Sequence, residues 1–107
     1  MLTESPSMLL HTSGVVPIRP DGTVPESLHE QADTVWANIN AILTEARMAV
    51  HDIVSVTTYA VFGENLPEIM AARDRALGSH LAASTLVTVP ALARPNWRME
   101  ISVVAAR

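Results

Sequence analysis

The chain contains no cysteine and no lysine, and aromatic residues make up only 4% of it. Without cysteine there is no disulfide framework, no thiolate nucleophile and no thiolate metal site. Without lysine, Schiff-base catalysis is restricted to an N-terminal amine. All seven basic residues are therefore arginine, scattered among eleven acids, for a formal net charge of −4. A nucleic-acid binder needs a clustered basic face to neutralise phosphates, and no such cluster is evident. His11, His29, His51 and His80 show no HxH or HxxxH spacing, so neither a metal nor another cofactor is expected. No run approaches the roughly 18 consecutive apolar residues of a membrane span. The opening stretch MLTESPSMLLHTSG lacks the basic start and long apolar run of a signal peptide. These absences predict a cytoplasmic protein with neither membrane nor nucleic acid as partner.

What is present is an apolar chain. Of its 107 residues 49% are hydrophobic, which suits a single domain over 1–107 with a modest core. A surplus of apolar positions in so short a chain points to surface hidden by partner subunits.

The stretch HTSGVVPIRPDG, residues 11–22, breaks an extended run from Met8 to Ile18 at Ser13-Gly14 and ends it in turn chemistry at Pro20-Asp21-Gly22. The break is either a plain strand bulge or the wall of a small-molecule pocket. Next, ESLHEQADTVWANINAILTEA carries Leu28, Ala32, Val35, Trp36, Ile39, Leu43 and Ala46 at helical spacing, with Pro25 expected in the first turn. IVSVTTYAVF, from Ile53, reads as a strand, with Tyr59 assigned to packing. GENLPEIMAARDRALG reads as a second helix capped by Asn65 and closed by Gly78. STLVTV and the segment from Arg98 read as two further strands. Two helices can cover only one face of such a sheet, so the fold class is α+β with the other face left for neighbouring subunits.

The stretches HTSGVVPIRPDGTVP, EQADTVWANINAILTEA, DIVSVTTYAVF, ASTLVTVPALARP and MEISVVAA, in this order, resemble the RidA (YjgF/L-PSP) family. The resemblance covers nearly the whole chain. It implies a chorismate-mutase-like fold, a mixed sheet with two helices on one face, and a homotrimer whose sheets face inward. It also implies a small-molecule ligand in clefts between subunits, and cofactor-free hydrolysis of reactive imines and enamines to a ketone and ammonia. Ser13 and Gly14 match the Ser-Gly pair that lines the family's cleft.

Glu100 matches the family's acidic residue and is the candidate catalytic group. Among Trp97, Met99 and Ile101, a carboxylate raised in pKa would position or deprotonate a water. The alternative is a structural Glu paired with Arg98 or with a neighbouring subunit. Thr85 occupies the position of the family's Cys. Ala83 stands where deaminating members carry an Arg that grips the substrate carboxylate. The second helix has no match to the family's Asn, and the N-terminal segment has no aromatic pocket residue. Arg73, Arg75, Arg94 and Arg98 are the candidates to replace the missing Arg, while Trp97 is a candidate cleft wall or interface anchor. The candidate binding set is thus Ser13, Gly14, Ala83, Thr85, Trp97 and Arg98.

Three functions follow in order. The first is a RidA-like imine or enamine hydrolase. The second is a trimer that binds a small molecule without chemistry. The third is an endoribonuclease, which the acidic balance and the lack of lysine disfavour.

Overall fold

Local chemistry sets the ends of both helices. The computed structural model describes residue 2 and residues 5–107. In it the elements run β1 (Leu9–His11), α1 (Leu28–Glu45), β2 (Ile53–Val61), α2 (Leu66–Leu77), β3 (Ala83–Val89) and β4 (Met99–Ala106), with a 3₁₀ turn at Val50–Asp52. Helix α2 is capped as its sequence predicts: the Asn65 side chain accepts from the Glu68 N–H, and Gly78 ends it at φ 60°. Helix α1 departs from expectation at its start. Ser27 is the cap, its hydroxyl accepting from the Glu30 N–H, so Pro25 lies outside the first turn.

The sheet has the order β1-β4-β2-β3, with β2 and β3 parallel and the other pairs antiparallel. Helix α2 is the crossover that a parallel β2–β3 pair requires. Both helices lie on one face, as expected. Val35, Ile39 and Leu43 of α1, with Ile69 of α2, pack against Val56, Ala60, Met99, Ile101 and Val103. Each such side chain removed from water contributes roughly 1.5–3 kcal/mol. Trp36 joins this core, with its indole N–H buried and unpartnered among the described residues.

Gln31 is a buried polar residue whose amide is fully used. It donates to the carbonyls of Pro25 (2.9 Å) and Asn96 (2.8 Å) and accepts from the Arg98 N–H (2.9 Å). These bonds tie the start of α1 to the loop that enters β4.

The first extended run is shorter than its sequence suggests. Only Leu9–His11 forms regular ladder with β4, followed by an isolated bridge between Val15 and Ile101. Thr12 bonds Val103 and Val15 bonds Ile101, so Ser13 and Gly14 together stand opposite Ser102 alone. That two-against-one count is a β-bulge. Beyond it Pro17 has no N–H to offer a ladder.

Candidate functional site

Strand alternation decides which side chains face the uncovered side of the sheet. On β4, Met99, Ile101 and Val103 are buried against the helices, so Glu100, Ser102 and Val104 point the other way. On β2 Thr57 and Tyr59 are among the outward residues, because Val56, Thr58 and Ala60 are buried. Register then builds rows across this face. Glu100 stands beside Tyr59, and Tyr59 beside Val87; Ser102 stands beside Thr57, and Thr57 beside Thr85.

The bulge completes the row. A Cβ placed on Gly14 would lie 2.6 Å from Glu100 Oε2 and 2.9 Å from Cδ. The carboxyl group of Glu100 therefore lies directly against the backbone of Gly14, in space that any side chain there would occupy. Ser13 and Gly14 are exposed and Glu100 is half-buried. Glu100 makes no ion pair with Arg98 or with any other described residue. The arrangement offers a carboxylate beside an open stretch of backbone, with a phenol next to it on β2. Such a group can hold a water and exchange a proton with it. Met99 and Ile101, expected around this carboxylate, face the opposite side of the strand.

The remaining predicted residues are distributed around this pair. Ala83 and Thr85 are on the same open face, but on edge strand β3, two strand spacings or about 10 Å from β4. Trp97 and Arg98 line a separate cavity of about 250 Å³ with Val61, Glu64, Pro90 and Arg94. Arg98 is engaged there. Its Nε donates to Glu64 Oε1 at 3.0 Å and its Nη1 to the Glu26 carbonyl at 3.2 Å. Arg73 is held by Asp74 (2.9 Å) and donates to Ser84 Oγ (3.1 Å), while Arg75 pairs with Asp33 (3.3 Å). Arg94 is exposed and forms no ion pair among the described residues. Among the described residues no cluster of His, Asp and Glu is placed to hold a metal ion.

Tyr59, assigned to packing on a central strand, is half-buried there on the open face beside Glu100, a neighbour the sequence did not indicate. The signal was weak: Thr57 and Thr58 are both polar, so the alternation of β2 cannot be phased from its own residues.

Comparison with known proteins places this geometry. The chain superposes on TdcF from E. coli, solved with bound serine, with TM-score 0.87 at 25% identity, over 94% of this chain and 82% of that one. It superposes on YyfB of the Rid family from Yersinia pestis with TM-score 0.84 at 26% identity, over 95% of this chain and 80% of that one. In sequence it is 29% identical over 97 residues to the mitochondrial protein Mmf1 of Saccharomyces cerevisiae. That match takes in 90% of this chain and 66% of Mmf1, just under two thirds of the relative's length. The family model described as Endoribonuclease L-PSP matches residues 4–107. With nearly its whole length matched, the chain belongs to the endoribonuclease L-PSP family, which includes the Rid (YjgF) proteins.

Proposed function

We propose that this protein is a RidA-like hydrolase of small imines or enamines, with Glu100 as its water-activating carboxylate. The observation that carries the reading is the Glu100 carboxyl group lying against the bare backbone of Gly14 on the uncovered sheet face. Hydrolysis of a C=N bond needs a water held against the carbon and a group to carry its proton. Glu100 takes the proton as the water oxygen attacks, and returns it to nitrogen as the C–N bond breaks. Positioned proton transfer of this kind contributes about 10²–10⁴-fold. TdcF, a relative solved with bound serine, supports a family cleft of amino-acid size.

The working form is a homotrimer with the sheets facing inward. Within one copy Thr85 and Ala83 lie two strands from Glu100, so a neighbouring copy docked on this face would supply the opposing wall of a cleft over Gly14. Ser13, Gly14, Ala83 and Thr85 form the binding set on this face; Trp97 and Arg98, which line the separate cavity, stand outside it, and no cofactor takes part. The proposed compartment is the cytoplasm. Among the described residues no helix is long and apolar enough to cross a membrane, and the curated yeast relative is mitochondrial.

A second reading, a trimer that binds a small molecule without turnover, is favoured by Ala83 at the position where the resemblance places a substrate-gripping Arg. The endoribonuclease reading ranks last. Arg19, Arg73, Arg75 and Arg98 are committed to ion pairs, leaving few cations for phosphates.

Ammonia release from freshly generated imines, wild type against Glu100→Gln, decides between the first two. Glu100-dependent release supports the hydrolase. Release at the buffer rate with ligand binding intact supports the second reading.

A further inference from the structure

We infer that the ligand accepted over Gly14 and Glu100 is a cation without a carboxylate, the iminium form of a small apolar imine. The chemistry rests on the hydrolase reading; the charge argument stands on the sheet face alone.

Among the described residues Glu100 is the one carboxylate on that face; Tyr59 and Val87 continue its row across the strands, and Ser102, Thr57 and Thr85 form the next row. No arginine belongs to the face. Among the described residues the only other titratable side chain on it besides Tyr59 is His11, paired with Val104 four residues further along β4, or about 14 Å away. Five of the seven arginines are used elsewhere. Four are held by acids, and Arg107 donates to the Arg47 carbonyl at the end of α1. An anionic substrate would thus meet a carboxylate with no countercharge, while a planar cation would meet an opposite charge on an apolar, hydroxyl-bearing floor.

The same pairing suits the reaction. An iminium carbon is more electrophilic than that of the neutral imine, and its charge sits one bond from the carbon that water must attack. The step balances as R₂C=NH₂⁺ + H₂O → R₂C=O + NH₄⁺. The C–O bond forms as Glu100 takes a water proton. The C=N electron pair moves to nitrogen, which takes that proton from Glu100; as the C–N bond breaks, the hydroxyl of the tetrahedral intermediate gives up its remaining proton to Glu100, which passes it to the departing ammonia.

Two measurements test this. The first is the backbone-amide NMR response of the full chain to acetamidinium and benzamidinium, against acetate and benzoate. The amidinium ions should perturb Gly14 and bind at least tenfold more tightly than the carboxylates, and the preference should vanish in Glu100→Gln. The second is kcat/KM for propan-2-imine against 2-iminopropionate, which differ by a methyl in place of the carboxylate. The carboxylate-free imine should be favoured tenfold or more, and Ala83→Arg, at an exposed position, should narrow or reverse that ratio.

Equal or tighter binding of the carboxylates, or preference for 2-iminopropionate, overturns the inference and assigns the countercharge to an arginine such as Arg94 of a neighbouring copy. If neither imine turns over, the hydrolase reading fails, and the amidinium comparison still decides the charge class.

Discussion

Gly14 and Glu100 exclude each other's growth: a Cβ on Gly14 would come within 2.6 Å of Glu100 Oε2 and 3.1 Å of Oε1. The obstructed atoms are the far end of a flexible side chain, so the collision is relieved by moving the carboxylate. Gly14→Ala should therefore fold with a melting temperature within a few degrees of wild type, yet lose tenfold or more in imine turnover. Unchanged kcat/KM would mean that the carboxylate's place against the backbone is irrelevant to catalysis.

The uncovered sheet face predicts an assembly. Val87, 38% exposed at the middle of β3, lies in the same row as Tyr59 and Glu100. Wild type should sediment at about three times the 11.5 kDa of one chain, and Val87→Arg should shift it toward monomer. Sedimentation of wild type as a monomer at micromolar concentration would remove the trimer from the proposal.

Gln31 carries three hydrogen bonds at 1% exposure. Gln31→Leu keeps the bulk and leaves two carbonyls and the Arg98 N–H without partners. The expected loss is about 2–4 kcal/mol by urea denaturation. A loss below about 1 kcal/mol would show that water replaces the amide.

Arg47 follows helix α1 with φ 59°, a left-handed conformation that costs an L-residue with a Cβ roughly 1–2 kcal/mol. Its carbonyl accepts the Arg107 guanidinium, a contact that any residue at 47 retains. Arg47→Gly should raise stability by up to about 1 kcal/mol, and a urea midpoint that falls would contradict this.

The Asp21 carboxyl is held below its usual value of 3.8, first by the Thr23 hydroxyl and then by the Thr23 N–H, at 2.6 and 3.0 Å. Because its folded pKa is lowered, it stabilises the Asp21–Gly22 turn above pH 3.8 and ceases to do so as pH falls through the lower folded value. Thr23→Val should move the NMR titration midpoint of Asp21 upward, toward 3.8.

How much of this was legible in the sequence depended on the range of the interactions involved. Asn65 and Gly78 mark the ends of α2 because caps act within a few residues. Ser27 was missed as the cap of α1 because Pro25, two residues earlier, offers an equally plausible local start. The strand order was not legible, since β4 inserts between β1 and β2 through hydrogen bonds that no local pattern encodes. The bulge was visible as Ser13-Gly14, but its seat against Glu100 required the pairing of residues more than eighty positions apart. Arg98, two residues before Glu100 in sequence, suggested an ion pair, yet the chain turns that guanidinium toward Glu64.

The position of β4 also orders events during synthesis. The strand made last among those described lies between β1 and β2, and the Ser7 hydroxyl and the Met8 N–H both bond the Arg107 carbonyl. A nascent chain still short of Met99 holds α1, β2, α2 and β3, but β1 has nothing to pair with and β2 keeps an open edge. Cooperative closure of the sheet therefore waits until β4 has emerged from the ribosome. Nascent chains arrested before and after that segment should differ sharply in protease resistance.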